Sequence, residues 1–303
     1  MLELTTEIDS SMIFELNKKG FIPGITEQEA IFKARVRILQ DRQLTLAILS
    51  EEGYSYNISS TLDLKSTLEK LHTTFDIYPE WSTIIYSREG LSYWHAGATW
   101  TFSYSMTEQF EIPLPIIQLH SRLLDKKTYF AFYDIQEIIM HELVHIGRMN
   151  FVDSPYEEIL AYSTSSKMYR RLIGPISYYS QELFLGAGML IGSQAIISYI
   201  NLKGIFVYSP LVILLETLAV LLIAYALIAT VIYQTRFKKC LHKLQQLFAG
   251  KESYIIYRLT KEEITLFAKW SLKKILGHIE QHKENNLRWK IIWRNYMARE
   301  SLE

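Results

Sequence analysis

The sequence predicts an α+β domain joined to a two-helix membrane hairpin and a helical C-terminal tail. Three observations carry that expectation. Short segments between residues 82 and 120 are rich in Tyr, Trp, Thr and Ile and are separated by turn residues. Residues 183–200 and 205–233 are apolar over lengths that cross about 30 Å of hydrocarbon. Beyond them the chain is basic and shows helical periodicity to its end.

Taken in order, Thr26-Glu27-Gln28-Glu29 follows Pro23-Gly24 and reads as a capping box opening a helix to about Gln43. A second helix is expected from Leu62 to Thr73. The strand-like segments are Ser82–Ser87, Leu91–His95, Thr99–Ser105 and Pro115–His120, with Arg88-Glu89-Gly90 and Ala96-Gly97 as turns. Tyr133 to Arg148 has apolar Ile135, Ile138, Ile139, Leu143, Val144 and Ile146 on and around one stripe, with no Pro or Gly before Gly147. Asp153-Ser154-Pro155 then breaks the chain. Ser154 is a candidate N-cap and Pro155 a first helical residue for the next helix.

The two apolar stretches read as a hairpin turning at Asn201-Leu202-Lys203-Gly204. Gly188 and Gly192 form a G-x-x-x-G pattern, expected to pack within the hairpin. Glu216 is expected near the far interface, because a carboxylate within a span is costly. Arg170 and Arg171 precede the hairpin and Arg236, Lys238 and Lys239 follow it, against only Lys203 in the turn. The positive-inside rule therefore places both flanking parts in the cytoplasm, as an integral membrane protein. One cysteine, Cys240, suits a reducing compartment. Residues 1–11 carry three acids and no apolar core, so no cleavable signal is expected there.

Three parts follow: residues 1–182, the hairpin at 183–235, and the tail at 236–303. The net charge of zero hides an asymmetry. Residues 1–182 hold 16 Lys/Arg and 24 Asp/Glu, whereas residues 236–303 hold 15 and 7. Opposite charges suggest that the tail docks on the first part, on anionic lipid, or on both. No nucleic-acid motif accompanies the basic charge, so nucleic acid is not an expected partner. In the tail, Thr260-Lys261-Glu262-Glu263 is a capping box. Ile264, Phe267, Ala268, Leu272, Ile275, Leu276 and Ile279, then Trp289, Ile292, Trp293 and Tyr296, recur at helical spacing. That stripe packs either on the protein or at a membrane surface.

The chemistry lies in His141-Glu142-Leu143-Val144-His145. On a helix, positions i and i+4 share a face, so both imidazoles reach one metal ion. A carboxylate one residue after the first ligand sits beside a metal-bound water and can take its proton. A catalytic zinc usually has a third protein ligand and an open position, and Glu157 or Glu158 on the next helix could supply it. Two carboxylates in a first turn also suit the helix dipole.

His141-Glu142-Leu143-Val144-His145, followed by Glu158-Ile159-Leu160-Ala161, resembles the gluzincin group of zinc metallopeptidases. The resemblance covers about thirty residues. It implies a zincin-like layout, zinc held by His141, His145 and Glu158, and Glu142 as general base activating a zinc-bound water. It further implies an edge strand that pairs with the substrate backbone, for which Pro115–His120 is the candidate by position. The departure is Tyr162, where many gluzincins carry an Asp or Asn that orients a zinc-binding His.

The expected function is thus a membrane-anchored zinc endopeptidase acting on protein or peptide substrates at the cytoplasmic face. Asp134, Glu137, Glu142 and Arg148 keep the motif helix from being a span itself. A second stabiliser is needed for the tetrahedral oxyanion. Tyr162 is a candidate for it, as are Tyr156, Tyr169 and His120. His95 and His120 are further possible metal or substrate groups. The alternative is a non-catalytic membrane scaffold, or a regulator whose domain binds zinc or a peptide without cutting it.

Overall fold

The computed structural model describes residues 12–298, apart from 52, 54, 59–62, 93–94, 108–109, 131–132, 153 and 204–209. The acidic N-terminus, the end of the expected hairpin turn, the first residues of the second apolar stretch and the centre of the expected strand Leu91–His95 lie outside these residues. So do Leu62, where the second helix was expected to begin, and Asp153.

Four helices come first: α1 (Ile13–Lys18), α2 (Glu29–Gln40), α3 (Arg42–Glu51) and α4 (Lys65–Phe75). The capping box expected at Thr26 is absent. The N-cap of α2 is Gln28, without a side-chain cap bond. Glu27 instead takes two hydrogen bonds from the buried Arg35 guanidinium, at 2.8 and 2.9 Å, and one from the Gly24 N–H. The helix starts later than expected, so Glu29 is its first residue, not its third, and pairs with Lys33 at 2.9 Å.

The sheet holds β1 (Thr83–Tyr86), β2 (Gly97–Thr107) and β3 (Phe110–Leu119) in the order β1-β3-β2. β3 is central, parallel to β1 and antiparallel to β2. This corrects the expectation that Pro115–His120 is the edge strand. Proline signals an edge because it cannot donate to a ladder. Here β1 pairs only with Ile116–Leu119, so Pro113 and Pro115 precede the doubly paired part of the strand. The edge strands are β1 and β2, and β2 is the one beside α5. Alternation sorts the two faces of the sheet. Ile117 and Leu119 join the main core with Ile84 and Tyr86. Ile112 and Leu114 pack on Phe32 and Val36 of α2, and Ile116 and Ile85 pack on Leu49 of α3.

A two-stranded ribbon, β4 (Thr128–Tyr129) and β5 (Tyr133–Asp134), was not foreseen. It leads into α5 (Ile135–Gly147), whose N-cap Asp134 accepts from the Gln136 N–H at 2.8 Å. Next come α6 (Pro155–Ser163), with Ser154 and Pro155 where expected, then α7 (Met168–Ile173) and a 3-10 segment, Gly174–Tyr179.

Two long helices follow, α8 (Ser180–Leu202) and α9 (Pro210–Leu247), each long and apolar enough to cross a membrane. Their seam uses small residues. A Cβ on Gly186 would sit 3.2 Å from the Ala219 carbonyl and 3.1 Å from Ile223. The G-x-x-x-G pair was expected here, but Gly188 and Gly192 face open space. Their spacing from Gly186 and the buried Ser193 turns them off the seam. Glu216 accepts from Ser193 and Gln194, at 3.3 and 3.0 Å, so its carboxylate is partnered from α8.

α9 does not stop at residue 235. It continues unbroken, and Phe237, Cys240 and Leu244 enter the main core. The tail does likewise through α10 (Glu252–Ile256), α11 (Lys261–Lys269), α12 (Leu272–His282), α13 (Leu287–Ile292) and a final π turn, Trp293–Met297. Thr260 and Glu263 form the expected capping box on α11. Tyr257, Leu259, Ile264, Phe267 and Trp289 share one cluster with Ile139, Leu143 and Leu160. Each such side chain contributes about 1.5–3 kcal/mol when fully buried. A division at 236 therefore cuts through one core. Polar links reach further back: Arg258 donates to Asn17 Oδ1 (2.8 Å) and to the Phe75 carbonyl, and Tyr296 donates to Asp76.

Within the tail, Glu263 is buried and bonds Arg288, the Trp289 indole and the Thr260 N–H. Burial alone would raise its pKa, but Arg288, His278 and Thr260 together hold the carboxyl well below the usual carboxylate range. A depressed folded pKa gives stability that is full above the unfolded value and lost as pH falls through the folded one. In chemical denaturation, Glu263→Gln should be less stable than the parent at pH 7. The difference should shrink progressively below about pH 4.5.

Candidate metal centre

α5 and α6 meet at an angle that brings their polar residues together at the mouth of a cleft of about 570 Å³. The helical period carries His141 and His145 to one side of α5. Their Nε2 atoms stand 3.4 Å apart. Glu158, in the first turn of α6, presents Oε2 at 3.6 Å from His141 and Oε1 at 3.5 Å from His145. These three donors form a group that could hold a metal ion. Their spacing matches a tetrahedral zinc, whose bonds of about 2.0–2.1 Å put ligand atoms about 3.4 Å apart.

The surroundings prepare these groups. Burial lowers the His141 pKa to about 4, against the opposing pull of Glu142, so the ring is neutral as metal ligation requires. Ser177 of the 3-10 segment donates to Glu158 Oε2 at 2.9 Å and shares a hydrogen bond with Tyr162. The Tyr162 ring packs edge-on against His141 at 4.6 Å between centroids. Tyr162 thus fixes the ring by contact, where the resembled family uses a carboxylate or amide. Burial, and then Glu158, push its phenol up to about 12.

Glu157 is committed elsewhere. The buried Arg148 grips it through two hydrogen bonds of 2.7 and 2.8 Å, so Glu158 alone of the pair faces the histidines. Arg148 also donates to the Tyr257 and Leu259 carbonyls of the tail. Glu142 is nearly buried and lines the same cleft, with Thr99 Oγ1 donating to its Oε2 at 2.8 Å.

The other named residues divide. His95 lines the cleft. His120 does not: it is buried, and its Nδ1 accepts from the Arg122 N–H to cap the short helical turn Ser121–Leu123. Tyr156 is buried and turned toward the tail, hydrogen-bonded to Thr265 at 3.0 Å. Tyr169 is exposed on α7. Arg170, counted above among the charges flanking the hairpin, points inward. It pairs with Glu137 and lies over the Tyr133 and Tyr162 rings.

Thr99, Ser177 and Arg148 were not foreseen in these roles. Thr99 is 43 residues from Glu142 on a strand, and Ser177 is 19 residues past Glu158, so no local spacing announces them. Arg148 did leave a signal, as a lone charge closing an apolar helix nine residues before a carboxylate. Comparison with protein-family models, curated proteins and solved structures finds no match to the chain, so its function is argued from this geometry.

Proposed function

We propose that this chain is a membrane-anchored zinc endopeptidase of gluzincin type that hydrolyses peptide bonds at the cytoplasmic membrane face. The observation that carries it is the convergence of His141, His145 and Glu158, with Glu142 beside them in an open cleft. The small sheet with β2 as its free edge, and a ligand helix followed by a carboxylate helix, fit a zincin-like layout. Two apolar helices supply the anchor, and the basic residues around them favour cytoplasmic soluble parts.

Zinc held by the three ligands would supply Lewis acidity and lower the pKa of a water toward neutrality. Glu142 takes the proton of the attacking water and delivers it to the leaving amine. Thr99, by occupying Oε2, fixes the carboxylate plane. Ala98 and Thr99 of β2 line the cleft, so an extended substrate adds to that edge as a further strand. Tyr162 lines the cleft and keeps its proton at neutral pH, and we assign it as a donor to the developing oxyanion.

The first test is metal content. Purified protein should carry about one zinc per chain, and His145→Ala or Glu158→Ala should lose it while keeping the parent's helical circular dichroism. Zinc retained at parent levels by both variants would remove the basis of the proposal.

A further inference from the structure

The stretch from Met168 to Tyr179, which joins α6 to α8, has two unlike faces. Its inner face builds the metal centre. Arg170 pairs with Glu137, one turn before His141, and Ser177 holds Glu158. Gly174 leaves room for Tyr162, since a Cβ there would lie 2.3 Å from the ring. Its outer face is apolar: Met168, Tyr169, Leu172 and Ile173 are between 45% and 67% exposed.

That outer face continues the lateral surface of the two long helices. Gln234 of α9 donates to the Leu172 carbonyl at 2.7 Å, which fixes α7 level with the end of the apolar part of α9. On the two turns of α9 that precede Gln234, Leu227, Ile228, Val231 and Ile232 are exposed. Lengths agree. The 23 residues of α8 span about 34 Å, enough for a hydrocarbon core of about 30 Å. Yet the helical run that begins at Met168 and ends with α8 is 35 residues long. The excess lies entirely on the cleft side. Exposed Arg171, Lys238 and Lys239 stand at this rim, where cations meet anionic headgroups.

We infer that α7 and the 3-10 segment sit in the bilayer interface, so that the cleft opens at the membrane surface and takes polypeptide just where it leaves the lipid. The substrate class is then the juxtamembrane segment of a membrane-embedded protein. This rests on the peptidase reading for its chemistry, but the seating of α7 stands on the apolar surface alone. A soluble protein docking on the same patch would break its continuity with α8 and α9, so lipid is the favoured occupant.

Two measurements test it on full-length protein in phosphatidylcholine–phosphatidylglycerol vesicles. Tyr169→Cys and Ile173→Cys, carrying an environment-sensitive fluorophore, should emit as in an apolar medium and be quenched by lipids brominated near the headgroup. Glu80→Cys, exposed on the soluble part, should report water. The native Cys240 is fully buried, and burial raises its thiol pKa, which keeps it out of the labelling. The second measurement uses one cleavable sequence placed 5 or 30 residues from a transmembrane anchor in the same vesicles. The near site should be cut at least tenfold faster. Emission at 169 and 173 equal to that at 80 would overturn the inference, as would equal cutting at both distances. Labels in lipid with neither site cut would support the seating and count against the peptidase reading.

Discussion

Glu142→Gln should keep the metal content of the parent and lose the proposed hydrolysis by about 10²- to 10⁴-fold, the usual worth of a positioned general base. The amide is isosteric, and Thr99 can still donate to its carbonyl oxygen, so the cleft keeps its shape. What disappears is the site that receives a proton. Because Glu142 is not among the three converging donors, metal content should match the parent. Zinc analysis beside single-turnover cleavage of a peptide library separates the outcomes. Cleavage near the parental rate would remove Glu142 from the mechanism. Loss of zinc together with activity would make it a support for the ligands instead.

Arg148→Met has the largest expected effect on stability, about 3–5 kcal/mol, as when one partner of a buried ion pair is removed. The guanidinium is buried, and it satisfies Glu157 and two carbonyls of the tail at once. Methionine of similar length leaves that carboxylate without a counterion in a nearly closed place. Double replacement, Arg148→Met with Glu157→Leu, should recover much of the loss, since well-packed apolar residues often replace buried pairs at little cost. Chemical denaturation of the three variants measures both numbers. A single variant as stable as the parent would show that the tail does not depend on this tie.

How much of this was legible in the sequence depends on the range of each interaction. The α5 stripe, the Ser154-Pro155 start of α6, the Thr260 capping box and both long apolar helices are local patterns, and they appear in the structure at or near the expected residues. The periodicity from Ile264 to Ile279 was sound, but Trp270 adopts an extended backbone and divides it into α11 and α12. The box at Thr26 does not form because α2 begins only at Glu29, which pairs with Lys33 on the next turn. The edge expected at Pro115–His120 rested on position in the chain, and pairing order is set by contacts that position does not reveal, so β3 lies in the centre. At the site, the i, i+4 spacing brought out His141 and His145, and the resemblance favoured Glu158 over Glu157. Glu157 is turned from the histidines by Arg148, whose partners include tail residues more than a hundred positions away. Thr99 and Ser177 come from separate elements and leave no periodic trace.

The stripe on α9 is one stripe from end to end. Val212, Ala219 and Ala226 meet the hairpin partner, and Phe237, Cys240 and Leu244 meet the soluble core, all within about 100° of the helix circumference. The helix pair and the main core are consequently locked in phase, like two gears keyed to a single shaft. An insertion of one residue between them would twist one against the other by about 100°. An insertion of seven residues would bring the two ends back to within about 20° of their present phase and lengthen the shaft by about 10 Å.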